Sequence, residues 1–441
     1  MRKKLELLIQ LFYSLADQVV VSACTFLTMV LISKHCTKAD VGVFALTVTI
    51  ISLLRTVQER AISAPYLAFA YRPGFDRPSF NGSSFIHQAI LAAGATMAII
   101  IATSVGILAG FSPPWMIVFG SLAVVLPMTL IRDQIRTMAA ASFQFRQQLV
   151  FDIVIGASQL TGILALSWSN RFSIARVNLV LGIACVVPTL IWFSMNGRKI
   201  RVVHEEVISD WNNNWQYARW LVGARVFGIF GYFIVPWLIW YFLDEASTGA
   251  FAVCSSLVGI SLMCVTGLNN LYQPRTIREM QRSGLRGMLL SMGESIAVVL
   301  ALLATISVAF YWFGSQALMV IFGKSYEEYG YLAFLLSLST LVVSTSILFG
   351  NGLAALGNSK EYFWGEFFCC FVTVSSALIA IPLYGLNGAA IALAMGGAVA
   401  SAVTGWTLYR AAVRFASREI LRKSTMETTA VATSDPFFVA K

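Results

Sequence analysis

The chain alternates between long apolar stretches and short polar segments. A helix needs about 20 residues to cross the roughly 30 Å hydrocarbon core of a bilayer, and the apolar stretches are close to or above that length. The pattern therefore predicts an all-α, polytopic membrane protein with about twelve transmembrane helices. The predicted spans are residues 11–33, 41–70, 86–110, 114–131, 150–168, 173–195, 217–242, 248–271, 289–313, 329–350, 362–382 and 386–409.

The polar segments between these spans are short, and the longest of them is residues 196–216. The second span, 41–70, is longer than one crossing requires, so we expect it to extend past the membrane or to bend near Pro65. The last stretch, 424–441, is polar and rich in threonine. We expect this stretch to be a disordered cytoplasmic tail.

The basic residues are distributed asymmetrically about this series of spans. Basic loops of membrane proteins stay in the cytoplasm. The pattern therefore predicts a plasma-membrane protein with both termini in the cytoplasm. Of 31 Lys and Arg residues, all but five fall on one side, and the five exceptions are Lys34, Lys38, Arg171, Arg176 and Lys324.

Composition agrees with a membrane protein, since 58% of the residues are hydrophobic, only 12% are charged and the mean hydropathy is +0.75. The net charge of +10 lies in loops between apolar runs, which favours anionic lipid headgroups over nucleic acid as partners. Two arginine stripes with helical spacing fit this interpretation. They are Arg275, Arg278, Arg282 and Arg286, and Arg410, Arg414, Arg418 and Arg422. The seven cysteines and three histidines have no metal-site spacing, so we expect neither metal nor cofactor.

The chain also repeats itself. The spacing Ala-x-x-Gly-x-Phe-Ala opens the second predicted span at residues 39–45 and the eighth at 246–252. Six spans in each half give both copies the same orientation in the membrane. The repeat predicts two six-helix bundles, residues 1–205 and 206–423, related by a pseudo-two-fold axis along the membrane normal.

Several motifs resemble those of a known family. They are Ala39-x-x-Gly42-x-Phe44 after a first span with Asp17, Gly350-Asn351-Gly352 with Ala355-Leu356-Gly357-Asn358-Ser359-Lys360, and Pro382-x-Tyr384-Gly385-Leu386-Asn387-Gly388-Ala389-Ala390. With these motifs the chain resembles the polysaccharide (O-antigen repeat-unit) flippases of the multidrug/oligosaccharidyl-lipid/polysaccharide exporter superfamily. The resemblance implies transport of a lipid-linked saccharide across a bacterial inner membrane, with polysaccharide assembly proteins as possible partners.

Charged residues within the spans are the candidate functional groups, because a charge at mid-membrane costs about 2.5–3.5 kcal/mol unless it meets a partner or water. Arg225 has no acidic residue between positions 221 and 229. One interpretation gives its planar guanidinium to the phosphates of a lipid-linked sugar. The other pairs it with Asp17, which occupies the matching place in the first half.

Arg55, Glu59 and Arg60 lie toward the cytoplasmic part of the second span. Arg55 and Glu59 are four residues apart on one helical face, so we expect them to neutralise each other. Arg60 is then left over as a substrate ligand, with Arg55 beside it. The alternative is an ordinary helix end that reaches the interface.

Glu294 and Glu366 lie near the cytoplasmic ends of the ninth and eleventh spans. A buried carboxylate there could bind a proton that drives transport. Extension of both side chains to the nearby interface explains their positions equally well.

Three kinds of function remain from these observations. The first is a flippase for a lipid-linked saccharide, and the second is a drug or cation antiporter or a peptidoglycan-precursor flippase of the same superfamily. The third, a polysaccharide polymerase or ligase, needs a large outward loop that carries the chemistry. The largest outward loop is residues 314–329, without histidine, so we expect no enzymatic activity.

Overall fold

The computed structural model describes residues 2–70, 76–169 and 171–434, and the regular structure within these ranges is helical throughout. Ten helices in this part of the chain are long and apolar enough to cross a membrane. The prediction of an all-α, polytopic membrane protein is confirmed.

Two of these helices are too long for one crossing. The helix Glu245–Phe322 has 78 residues, and a straight helix of that length would measure about 117 Å. Gly284 interrupts it with φ 64°, and Gly385 interrupts Ser359–Ser434 with φ 58°. Glycine adopts this left-handed conformation without steric cost, so the chain can reverse at both points. When both helices are split at these glycines, the described residues form twelve helical segments, in agreement with the predicted number of spans.

The helices are numbered in chain order. They are α1 (Arg2–His35), α2 (Lys38–Phe69), α3 (Arg77–Leu108), α4 (Pro113–Ala141), α5 (Phe145–Trp168), α6 (Ile174–Ile183 and Val186–Asn196), α7 (His204–Phe242), α8 (245–283), α9 (285–322), α10 (Gly330–Ala355), α11 (359–384) and α12 (386–434).

Helix α2 contains an irregular turn close to the predicted bend. A π-helical turn occupies Glu59–Ser63, and Pro65 lies at the start of the regular helix that follows. The proline has no amide hydrogen to donate, which is tolerated in the first turn of a helix. The π turn widens the helix where the charged residues of the second span lie, and π turns of this kind are frequent at functional sites.

Helix α12 runs to Ser434 and so includes residues 424–434 of the expected tail. The disorder of this tail stays a prediction. Residues 435–441 lie outside the described part of the chain.

Most helices of one predicted half pack with one another, except α2, which packs mainly against α7 and α8 of the other half. In the first half, α1 packs against α5, and α4 packs against α3 and α6. In the second half, α7 packs against α11 and α10 against its neighbours on both sides. The largest buried apolar cluster joins the halves, since it includes Ile32 and Phe44 together with Phe251 and Phe322. The boundaries 1–205 and 206–423 themselves stay a prediction.

The two repeat motifs meet face to face. A Cβ atom on Gly42 would collide with the carbonyl oxygen of Glu245 and would lie 3.0 Å from the amide nitrogen of Gly249. A Cβ atom on Gly249 would collide with the carbonyl oxygen of Lys38 and would lie 3.0 Å from the amide nitrogen of Gly42. The contact is reciprocal, as a two-fold axis between the two motifs requires.

The helix ends beside this contact are capped alike. Thr37 accepts a hydrogen bond from the amide of Asp40, and Asp244 accepts one from the amide of Ser247. Each cap satisfies an amide that the first helical turn leaves without an intrahelical partner. The repeat thus extends from the glycine motif to the residue that starts each helix.

The five basic residues set apart by the sequence pattern lie in the connections between helices or in the adjoining helix ends, at the same end of the molecule. His35 stacks on Phe172 at 5.3 Å, and Lys38 Nζ lies 2.7 Å from the carboxylate of Glu328. These contacts bring the α1–α2, α5–α6 and α9–α10 turns together. The segregation of charge between two ends is therefore present in the fold, while the compartment that each end faces stays a prediction.

Candidate functional site

A buried ionic network joins three helices of the first half. Arg136 on α4 donates to Asp17 on α1 at 2.8 Å, and its Nε lies 2.7 Å from the carboxylate of Asp152 on α5. Arg132 donates to the other oxygen of Asp152 at 2.5 and 3.0 Å. Gln148 adds a hydrogen bond to Asp17 at 2.7 Å. Two carboxylates and two guanidinium groups thus neutralise one another.

This network was not expected from the sequence. Asp17 is 3% exposed and Asp152 1% exposed, so unpaired charges at these positions would be costly. The predicted fourth span stopped at residue 131, but α4 continues to Ala141 and carries Arg132 and Arg136 inside the helix. The signal was their four-residue spacing, which places both guanidinium groups on one helical face.

Arg55 is paired with α4, which corrects the expected pair with Glu59. Its Nε and Nη2 donate to the two carboxylate oxygens of Asp133 at 2.5 and 3.0 Å. A guanidinium group prefers such a two-point contact to a single one. The pair lines a polar cavity of about 420 Å³, which Arg136 and Gln148 also line.

Arg60 is not left over, contrary to the sequence-based expectation. It lies in the π turn of α2, and its Nη2 is 3.0 Å from the carboxylate of Glu59. Glu59 is more than half exposed and also lines the 420 Å³ cavity. Arg60 thus has a carboxylate partner beside this cavity, while its Nε is buried without a hydrogen bond.

Arg225 is exposed on α7. Of the two interpretations of this residue, the pair with Asp17 is not present, since Asp17 is held by Arg136 and Gln148. Among the residues that the structure describes, Arg225 forms no ion pair. It lies within electrostatic reach of Tyr362 on α11.

Glu366 is placed against α7 by a small residue. A Cβ atom on Gly228 of α7 would collide with the carboxylate of Glu366, and Tyr362, one turn earlier on α11, lies within electrostatic reach of this carboxylate. Gly228 therefore lets the carboxylate lie directly against α7. Glu366 is half-buried between two helices of the second half, and its predicted coupling role stays a prediction.

Glu294 is not a buried carboxylate. Arg275 on α8 donates to both of its oxygens at 2.8 and 2.9 Å, and both side chains are nearly half exposed. The pair spans the turn between α8 and α9 at Gly284. The partial exposure of Glu294 agrees with the second interpretation of the sequence, while the position of this residue at the membrane interface stays a prediction.

The arrangement separates two kinds of charge. The first half holds Arg55, Arg132 and Arg136 in fixed pairs that connect α1, α2, α4 and α5. The second half presents Arg225 as an exposed cation on α7, and the carboxylate of Glu366 lies against the same helix. Among the described residues no group of three His, Cys, Asp or Glu could hold a metal ion.

Comparisons with known proteins give matches only at the level of structure. No protein-family profile matches the chain, and no curated protein matches it in sequence. Three solved structures show its fold.

The first is a multidrug resistance MATE family transporter of the MOP superfamily in an inward-facing conformation, with a TM-score of 0.76 and 10% identity over 92% of this chain and 99% of that one. The second is the lipid II flippase MurJ in an inward closed conformation, with a TM-score of 0.75 and 11% identity over 95% of this chain and 93% of that one. The third is a MOP superfamily transporter from Pyrococcus furiosus, with a TM-score of 0.63 and 11% identity over 94% of this chain and 95% of that one. The chain therefore has the fold of the MOP superfamily transporters.

Proposed function

We propose that the protein is a flippase that moves a lipid-linked oligosaccharide from the cytoplasmic to the outer leaflet of a bacterial inner membrane. The product would be used for surface polysaccharide or lipopolysaccharide assembly. The observation that carries the proposal is Arg225, an exposed guanidinium on α7 that has no ion pair among the described residues. The fold shared with transporters, the lipid II flippase among them, supports the general activity.

Arg225 has the chemistry needed for a pyrophosphate headgroup. Its planar fork of donors matches two phosphate oxygens at once. The guanidinium of an exposed arginine without an ion pair is also available to a ligand, because no carboxylate partner has to be displaced before the phosphate binds. Glu366, whose carboxylate lies against α7 at Gly228, three residues from Arg225, would favour release of the anion by attracting the same guanidinium.

The ionic network of the first half has a different part in this proposal. Its arginines are satisfied by Asp17, Asp152 and Asp133, so they are poor ligands for a passing anion. They would keep α1, α2, α4 and α5 together as one body while the halves move relative to each other in alternating access. This assigns Arg55 to architecture and leaves Arg60 a weaker substrate ligand than Arg225.

A cation antiporter is the second candidate, and the buried carboxylates Asp17 and Asp152 favour it. Carboxylates that shed a guanidinium partner can take up a cation or a proton. The pairing with Arg132 and Arg136 speaks against this, because the network is already neutral.

The test uses the full-length protein in proteoliposomes that contain a fluorescent lipid-linked oligosaccharide. A membrane-impermeant quencher reports how fast the label moves between leaflets. Loss of a charge-assisted hydrogen bond costs about 1.5–3 kcal/mol, so R225A should slow translocation by roughly tenfold to a hundredfold. R225K should retain part of the rate, since lysine keeps the charge without the fork.

The matched control is R176A at the opposite end, where the side chain donates to the carbonyl oxygen of Arg171 and forms no ion pair among the described residues. It should translocate at the wild-type rate. A wild-type rate in R225A would remove Arg225 from the mechanism. Transport of an organic cation by the wild-type protein, without movement of the labelled lipid, would establish the second candidate instead.

A further inference from the structure

Two cavities adjoin on the flank of the first half, at the end where basic residues concentrate. The first, about 520 Å³, lies between α3, α6 and the α4–α5 turn. The second, about 540 Å³, is a groove between α1, α5 and α6. Phe143, Gln144, Trp192 and Asn196 line both cavities. The two are therefore compartments of one continuous site.

The first compartment is suited to an anion. Its described lining includes the cations Arg77, Arg198 and Lys199 and contains no carboxylate. Arg77 donates to the hydroxyl of Ser142 at 2.5 Å, which holds the guanidinium at the wall. Cations near a membrane surface attract anionic headgroups with about 1 kcal/mol each. The surplus of positive charge points to a phosphate group.

The second compartment is suited to a hydrocarbon chain. Its wall includes Ile9, Val150, Val154, Ile191 and Met195, and each of these side chains is 44–75% exposed. An apolar groove on the outer face of a membrane helix bundle contacts lipid chains. Its described charged lining residue is Arg146, again a cation.

The wall between the compartments contains a strained residue. Phe143 has φ 55°, a left-handed conformation that residues other than glycine rarely adopt, and its side chain is 65% exposed. Such strain persists where the surroundings impose it, and it concentrates at binding sites. Trp192, with its apolar ring and polar N–H, lies beside Phe143 at the boundary, where aromatic residues favour the headgroup level.

We infer that this flank binds one anionic phospholipid, with its phosphate in the compartment of Arg77, Arg198 and Lys199 and an acyl chain in the groove of α1, α5 and α6. The inference does not depend on the proposed transport activity. All the described lining residues belong to α1–α6, the α4–α5 turn and residues 197–200, so the lipid would stay with the first half during transport. Because Arg198 and Lys199 lie on the segment that leads into α7, the lipid would also fix this connection.

The experiment compares purified full-length protein with phosphatidylglycerol, with phosphatidylcholine of the same chains, and with sodium phosphate. Native mass spectrometry should show one retained phosphatidylglycerol, and this lipid should raise the thermal midpoint more than the other two additions do. Removal of two cations in R198A/K199A should weaken its binding roughly thirtyfold. The control R278A/R282A loses equal charge outside both cavities and should bind like wild type.

A second variant separates binding from folding. Glycine adopts the conformation of Phe143 without strain, so F143G should fold at least as well as wild type and still bind phosphatidylglycerol more weakly. Equal stabilisation by phosphate alone would show an anion pocket without a lipid and would overturn the inference. Displacement of phosphatidylglycerol by a polyprenyl phosphate would overturn it too, because the site would then belong to the cargo. If R198A/K199A and R278A/R282A bind phosphatidylglycerol equally well, the lipid is attracted by the general surface charge and not by this site, which would also overturn the inference.

Discussion

The two halves of the molecule have similar helix layouts but use different chemistry between helices. In the first half, ion pairs join the helices, with Asp152 and Arg132 at their centre. In the second half, the described interhelical ion pairs, Arg275 with Glu294 and Arg414 with Glu361, are partly exposed, and the more buried interhelical hydrogen bonds are neutral. These include Ser337 to Ser307 at 2.9 Å, Ser346 to Thr404 at 3.2 Å, Thr276 to Ser291 at 3.3 Å, Asn351 to Asn269 at 2.6 Å and Ser339 to the carbonyl oxygen of Ala390 at 2.8 Å.

This difference has a physical consequence. A buried ion pair is costly to desolvate, but loss of one partner leaves an uncompensated charge, so the pair strongly resists separation. A hydroxyl pair contributes little and can exchange partners when helices slide. The first half is therefore the more rigid body, and the exposed arginine lies on the half whose helices can adjust.

The largest expected effect is in the ionic network. Asp152→Asn removes the carboxylate that faces both Arg132 and Arg136. It leaves positive charge buried between α4 and α5, and loss of one partner of a buried pair costs about 3–5 kcal/mol. The thermal midpoint of the detergent-purified variant, followed by size-exclusion chromatography, should fall sharply.

The matched variant in the second half is Ser337→Ala, which removes the hydrogen bond to Ser307. A neutral hydrogen bond contributes about 0.5–1.5 kcal/mol, so its midpoint should fall only slightly. Equal losses in the two variants would contradict the contrast between the halves.

The second largest effect is expected at the reciprocal contact between Gly42 of α2 and Gly249 of α8. Gly42→Ala and Gly249→Ala each place a Cβ against a backbone carbonyl of the opposite helix. The two helices must separate, so both variants should open this end of the molecule. Spin labels on the α1–α2 and α9–α10 turns should report a longer distance in both, by a similar amount because the contact is reciprocal.

Gly259→Ala on α8 is the control for these two variants. A Cβ atom there meets nothing within 4 Å, and alanine favours a helix by about 1 kcal/mol over glycine. It should leave the spin-label distance unchanged. A widened distance in only one of the two contact variants would refute the two-fold relation at this point.

The smallest effect lies in the helix that leads from the first half into the second. Burial raises the pKa of Asp210, with Glu206 acting in the same direction and Ser83 and His87 opposing it. The protonated form therefore stabilises the packing of this segment on α3. That contribution is present at low pH and is lost as the pH rises through the raised pKa.

Asp210→Asn should keep the neutral side chain at every pH. The variant should be at least as stable as wild type at pH 7, and the pH dependence of its thermal midpoint between pH 4 and 7 should be flatter. Asn214, also buried on this segment, gives the control Asn214→Ala, which should lower the midpoint without changing its pH dependence. An unchanged slope in Asp210→Asn would show that other groups carry the dependence.

The sequence predicted the crossings because apolar length depends on the bilayer and not on partners. It also predicted the repeat at Gly42 and Gly249, and the segregation of basic residues between two ends. It failed at the pairing of Arg55, Glu59 and Arg60. The helical spacing of Arg55 and Glu59 shows that they share a face, but it does not show that Asp133 of α4 lies opposite and offers a two-point contact.

The predicted fourth span was shorter than α4 for a related reason. Hydropathy places Arg132, Asp133 and Arg136 outside the membrane, because each charge is counted as if it were alone. In the fold, each meets an opposite charge from another helix, and their mutual neutralisation lets the helix continue.

The amino-acid sequence by itself determined the class of protein, the number of crossings and the presence of an internal repeat, since these follow from local composition and spacing. Only the tertiary structure decided which charges are satisfied and which remain available. Pairing depends on the distance between helices that are far apart in the chain, and it is this packing that holds Asp17 against Arg136 and leaves Arg225 exposed.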